Sequence, residues 1–280
     1  MANPSHHESE EAEDLSSPSA HVVYEAIRKE GRHELERKSS SLAWSGLAAG
    51  MSMGFSFLTE GLLRHHLPDA AWAPLVIKLG YATGFLIVIL GRQQLFTENT
   101  LTVILPLLLQ KTKRDLFKVL RLWTIVLLAN LAGAFLFAWA AAKTGAFEPQ
   151  LHTSLDAIAS ESTAQTFGIN LLRGIFAGWL IALMVWLLPA AETAQIWVII
   201  ILTYLVGLGH FPHIIAGAVE AFYAGMNGLR SWPELVGGYG LPTLIGNTIG
   251  GVTLVAVLAH AQIVGDKEKR KDDRVVIDAT

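Results

Sequence analysis

Two histidines, His210 and His213, stand inside a long apolar stretch, in the run Gly-His-Phe-Pro-His-Ile-Ile-Ala that begins at Gly209. An imidazole exchanges protons near neutral pH, and it donates and accepts hydrogen bonds without carrying charge. His-x-x-His on one helix face could hold a metal ion. Here Pro212 interrupts the helix and no carboxylate stands at ligand spacing, so no metal site is expected. A second polar cluster, Arg92-Gln-Gln with Glu98 shortly after it, interrupts another apolar stretch. A lone charge at the middle of a bilayer costs about 2.5–3.5 kcal/mol on insertion scales, so Arg92 and Glu98 are expected to pair across the interruption. Arg92 as a lure for anions is the alternative.

No other chemistry is on offer. The chain has no cysteine, which removes thiolate nucleophiles, disulfides and thiolate zinc sites. No set of catalytic groups converges, so an enzyme is not expected, and nothing calls for a cofactor. A net charge of −3 without a long basic run argues against a nucleic-acid partner. Of the 280 residues 52% are hydrophobic and 16% charged, against roughly 25% charged in soluble domains. Ten prolines and 25 glycines in so apolar a chain suit helices buried in lipid. The fold class expected is an all-α membrane protein, and the bilayer is its first partner.

Residues 1–20 are acidic and read as a disordered cytoplasmic tail. No signal peptide is expected, since the N-terminus is acidic and the first apolar run is long enough to span. Residues 21–41 read as an amphipathic helix whose stripe of Val22, Val23, Ile27 and Leu35 lies on the bilayer or on a neighbouring subunit. Residues 42–265 read as six spans, at 42–63, 74–110, 122–142, 174–191, 193–223 and 235–265, and residues 266–280 as a cytoplasmic tail. Glu60 is the lone charge in the first span, and Arg173 and Glu220 lie nearer span ends, where a structural role is expected. Lysines and arginines crowd the N-terminal segment, the loop after Gln110 and the C-terminal tail, which by the positive-inside rule puts both termini in the cytoplasm.

Spans one and four share a small-xxx-small face, Gly46 to Gly50 and Gly174 to Gly178. Spans three and six share Asn-x-x-Gly, Asn130 to Gly133 and Asn247 to Gly250. Such glycines let helix backbones approach closely. Both pairs recur in the same order three spans apart, which predicts two inverted three-helix repeats. The remaining spans, two and five, are then the matched broken helices, a pairing that points to a substrate path at the membrane midplane.

These residues resemble the formate/nitrite transporter family over about residues 25–265. Leu95-Phe96-Thr97 is similar to the family's motif in the second helix break, and Gly209 to Ala216 to the fifth, with His213 at the family's pore histidine. Leu241-Pro242 through Gly246-Asn247 to Gly250-Gly251 is the most specific match, and Asn130 with Gly133 is its counterpart. The resemblance implies an aquaporin-like fold, a homopentamer of the inner (plasma) membrane, and one pore per subunit. It implies passage of small monovalent weak-acid anions, proton-linked through His213. Within that frame Thr97 is expected to hydrogen-bond His213 across the pore. An ordinary back-bonding threonine is the alternative there, and a cap on freed carbonyls is the alternative for His213. Leu95, Phe96 and Phe211 are expected to form the apolar constriction, and His210 to serve the helix break or vestibule. Gln94, Pro212, Gly178 and Gln195 depart from the family pattern, so the fold transfers better than the substrate. An aquaporin-like channel for a neutral solute is the alternative function, weakened because paired Asn-Pro-Ala motifs are absent.

Overall fold

The computed structural model describes residues 18–263, so the C-terminal tail and nearly all of the N-terminal one lie outside the described residues. The described residues form helices and no strand. In order these are α1 (Ala20–Glu36), α2 (Ser39–His66), α3 (Ala73–Leu90), α4 (Asn99–Gln110), α5 (Lys113–Lys143), α6 (Pro149–Ser162), α7 (Phe167–Ala190), α8 (Glu192–Leu208), α9 (Ala216–Met226) and α10 (Glu234–Ile263). Helices α3, α5, α7 and α10 are long and apolar enough to cross a membrane, whereas α4 and α8 are apolar but shorter. Only a helix satisfies every backbone group within its own segment, which is why such apolar sequence adopts it. Trp44, Leu172 and Trp197 stand exposed on the outside, an apolar surface suited to lipid or to neighbouring subunits.

Helix α6 was not anticipated. Pro149 opens its first turn, and Leu151, Leu155, Ile158 and Ala159 recur at helical spacing and are buried. The segment is too short to span, so a reading keyed to long apolar runs passes over it. Helix α7 likewise starts at Phe167, ahead of the expected 174, which brings Asn170 and Arg173 inside the helix.

The glycine faces hold helix pairs at backbone contact. A Cβ on Gly50 would fall 2.0 Å from the Asn130 carbonyl oxygen, and one on Gly133 would fall 2.2 Å from that of Leu47, so α2 and α5 touch directly. The same contacts join α7 to α10: Gly178 would meet the Asn247 oxygen at 2.2 Å and Gly250 that of Ile175 at 2.1 Å. Packing of this kind replaces the hydrophobic drive that lipid cannot supply.

The N-terminal helix departs from expectation. Val22 is 58% exposed, while Val23, Tyr24, Ile27, Gly31 and Leu35 are buried. That face packs on α4, α5 and α7 of the same chain. A Cβ on Gly31 would collide with the Thr102 carbonyl oxygen at 2.0 Å, so the helix docks directly on backbone. Arg121 Nη2 donates to the carbonyls of Leu35 and Arg37 at 2.9 and 3.0 Å, satisfying orphan acceptors at the end of α1. Lys118 adds an ion pair to Glu36 and holds that carboxyl below its ordinary range.

Placing Val at Gly178 should cost about 1–3 kcal/mol, as overpacking does, whereas Gly168→Ala, which meets open space, should cost nothing. Thermal melts of the purified variants in detergent check this.

Candidate functional site

Helix α3 stops at Leu90 and α8 at Leu208 by the same device. Past α3, the Arg92 amide donates to the Ile89 carbonyl at 3.1 Å and the Gln93 amide to Val88 at 2.9 Å. Past α8, the His210 amide donates to Gly207 at 3.2 Å and the Phe211 amide to Val206 at 3.1 Å. Both are Schellman motifs, which place one residue in the left-handed region. That residue is Arg92 (φ 52°) in one break and His210 (φ 50°) in the other. Pro212 was expected to break the helix itself. The helix has already ended before it, and Pro212 merely follows the cap.

Beyond each cap the chain runs non-helical until α4 or α9, and its freed backbone groups meet an asparagine. Asn130 Oδ1 accepts from the Phe96 amide at 2.9 Å, while Nδ2 donates to the carbonyls of Gly46 and Gln94 at 2.7 and 2.8 Å. Asn247 repeats the pattern, accepting from the Ile214 amide at 2.8 Å and donating to Gly174 and Pro212, both at 2.9 Å. Both side chains are fully buried. The sequence marks these asparagines as packing motifs, and their bonds make them clamps on the two breaks. A buried group left unpaired costs about 1–3 kcal/mol, so each clamp matters to the break it holds.

The breaks bring Thr97 and His213 together. Thr97 Oγ1 lies 2.7 Å from His213 Nε2, and both residues are buried, the histidine to 1% exposure. On the other side of the ring, the Ala216 amide donates to His213 Nδ1 at 3.2 Å. An amide can only donate, so Nδ1 is the acceptor, and the proton of the neutral ring sits on Nε2, directed at Thr97. A second proton on Nδ1 would set donor against donor at the first turn of α9.

Two cavities flank this pair without sharing a lining residue. One, of about 590 Å³, is lined by His213 together with Lys78, Arg173, His210, Phe211 and Glu220 among others. The other, of about 680 Å³, lies beneath α1 and includes Glu30, Arg92, Gln94, Glu98 and Gln195 in its wall. Phe211 and His210 therefore belong to the first vestibule, where Phe211 stacks on Phe176. Leu95 is buried and lines neither cavity. Phe96 is likewise buried and lines neither cavity, and its ring makes an edge contact with Trp123, with centroids 5.7 Å apart. The aromatic ring beside His213 is Phe85, at 5.0 Å edge to face, which the motifs did not single out.

The expected Arg92–Glu98 pair also needs correcting. Arg92 Nη1 lies 3.3 Å from Glu30 Oε1 on α1, with the two side chains 82% and 48% exposed. The left-handed turn at Arg92 directs its side chain outward, so the charge sits in the vestibule mouth. Glu98 faces the same cavity. Glu220 and Arg173, expected to be structural near span ends, both line the opposite cavity. Sequence reasoning also missed Lys78, whose Nζ is 2.7 Å from the Oε2 of fully buried Glu60. The signal was there, because a lone charge in an apolar span must find a partner.

Apolar helices broken at matched points around a buried polar pair, with a cavity open on each side of it, make the architecture of a membrane channel or transporter. Residues 21–261 match the formate/nitrite transporter family, and the chain belongs to it. It is 40% identical over 259 residues to the inner membrane protein YfdC of Escherichia coli K12, spanning 92% of this chain and 84% of that one. It is 25% identical over 242 residues to the formate channel BtFdhC of Bacillus thuringiensis, spanning 83% and 91%. A pentameric formate channel with formate bound shares the fold at TM-score 0.69 and 20% identity, over 81% of this chain and 98% of that one.

A double-mutant cycle on Arg92→Gln and Glu98→Gln should show stability changes that add within about 0.5 kcal/mol, as for residues without a shared bond. Arg92→Gln alone should cost less than about 1 kcal/mol, as exposed pairs do. Thermal melts of the two singles and the double measure both.

Proposed function

We propose that the protein is a homopentameric channel or transporter of the inner membrane that passes small monovalent weak-acid anions of the formate or nitrite kind. In this reading passage is linked to protons through His213. The observation that carries it is the buried Thr97–His213 pair between two cavities that share no lining residue. An anion reaching the gap can replace Thr97 as acceptor of the Nε2 proton. A proton taken up on Nδ1 displaces the Ala216 amide, so the imidazolium is a poorly accommodated form that passes a proton on to the anion. The anion takes the Nε2 proton and crosses the apolar layer as the neutral acid, which leaves the uncharged ring with its proton on Nδ1; release of that proton and uptake of another at Nε2 restore the Ala216 bond.

In the same reading the chain crosses the bilayer six times as two inverted repeats. Support comes from the constant offset of equivalent contacts: Arg92 and His210 at the caps, then Gln94 and Pro212, and then Phe96 and Ile214 at the clamps. Both termini face the cytoplasm, as the basic residues around α1 and the loop after Gln110 favour. A pentamer fits the exposed apolar exterior and the assembly of the structural relative.

Formate uptake by proteoliposomes at several pH values tests the mechanism. Wild-type flux should rise as pH falls, and His213→Phe should abolish or invert that dependence while the variant still folds. An unchanged pH profile would reduce His213 to a cap on α9.

A further inference from the structure

The vestibule lined by His213 holds a cluster that the central pair does not use. Glu60, in the last third of α2, is fully buried, and one of its oxygens bonds Lys78 Nζ at 2.7 Å. Its other oxygen, Oε1, is buried without a hydrogen-bond partner. Lys78 reaches the cavity wall, and Glu220, nearly buried on α9, lines the same cavity close enough to interact with it electrostatically. The approach is forced from behind: a Cβ on Gly80 would fall 2.7 Å from the Glu60 amide nitrogen, so α3 lies directly on α2 where the lysine leaves it. The remaining charges in this wall are Arg173 and Glu161, and Glu161 is in turn paired with Arg64 at 2.9 Å.

Lys78 thus faces two carboxylates, Glu60 by a direct bond and Glu220 across the cavity, whereas Arg173 makes no ion pair among the described residues. An ammonium facing a pore would ordinarily concentrate anions, because charge in a low-dielectric cleft acts over many ångströms. We propose that Glu60 and Glu220 neutralise Lys78 and are the specificity-determining residues of this vestibule. They keep it charge-balanced and lower its affinity for small monovalent anions. The proposal deepens the transport reading and rests on it for the identity of the ligand. It assigns to two carboxylates outside the Thr97–His213 pair the control of how strongly an anion is held before it reaches that pair.

Formate serves as the probe in two measurements, uptake by proteoliposomes at fixed pH and the rise in melting temperature that formate produces in detergent. Glu60→Gln keeps a hydrogen-bonding amide beside Lys78 but removes the charge. Glu220→Gln leaves the Glu60–Lys78 bond intact. Each should lower KM for formate about three- to tenfold, the effect of unmasking one charge across the cavity, and enlarge the formate-induced rise in melting temperature. Lys78→Met added to the Glu60→Gln background should cancel both gains. A structural loosening would not be cancelled in this way. The same KM and the same melting shift in wild type and in both glutamine variants would overturn the proposal, and should Glu60→Gln fail to fold, Glu220→Gln decides. Absence of uptake by every protein would sink the transport reading, while the melting shifts would still judge the cluster.

Discussion

A backbone amide withdrawn from its helix inside a bilayer has no water to bond, and the structure turns on how two such segments are satisfied. Asn130 and Asn247 each supply one acceptor and two donors to a break and to the helix packed beside it. Their reach depends on the glycine faces, because only backbone contact between α2 and α5, and between α7 and α10, brings an asparagine side chain to both partners. Without the breaks, Thr97 and His213 would sit on continuous helices, and no unwound chain would line the gap. Without the clamps, each break would leave buried backbone groups unpaired at about 1–3 kcal/mol apiece.

Function follows from what the clamps leave exposed. The ring of His213 is fixed from one side by the first turn of α9 and from the other by Thr97, so its tautomer is set by the fold. Charge is kept at a distance from it. Arg92 and Glu98 lie in one vestibule, and Lys78, Arg173 and Glu220 lie in the other. Between the vestibules lie the Thr97 hydroxyl, the His213 imidazole and the ring of Phe85 packed against it. A neutral acid can cross such a layer at lower cost than its anion, since a bare charge there would lose its hydration without a fixed partner.

Much of this was legible in the sequence. The apolar composition, the two interruptions, the paired glycines and the pair Asn130 and Asn247 were all visible, because long-period features survive in one dimension. What stayed hidden depends on three-dimensional detail. The Schellman caps use arginine and histidine where glycine is usual, so no turn signal marked them. The outward path of Arg92 follows from that one dihedral angle, and a pairing argued from the cost of a lone charge in the bilayer therefore failed. Phe96 and Phe85 illustrate the same point: Phe85 meets His213 from within α3 while Phe96 meets Trp123, contacts that composition does not encode. The buried bond of Glu60 to Lys78 was foreshadowed only by the rule that a lone charge in a span needs a partner. Helix α6 carried a readable apolar stripe, but a search for spanning lengths does not see it.

The clamps can be measured residue by residue through hydrogen exchange of the protein in lipid nanodiscs. The Phe96 and Ile214 amides should be protected in the wild type although neither lies in a helix. In Asn247→Ala, protection should fall at Ile214 and persist at Phe96, because each asparagine serves its own break. Equal protection of Ile214 with and without the Asn247 amide group would contradict the account.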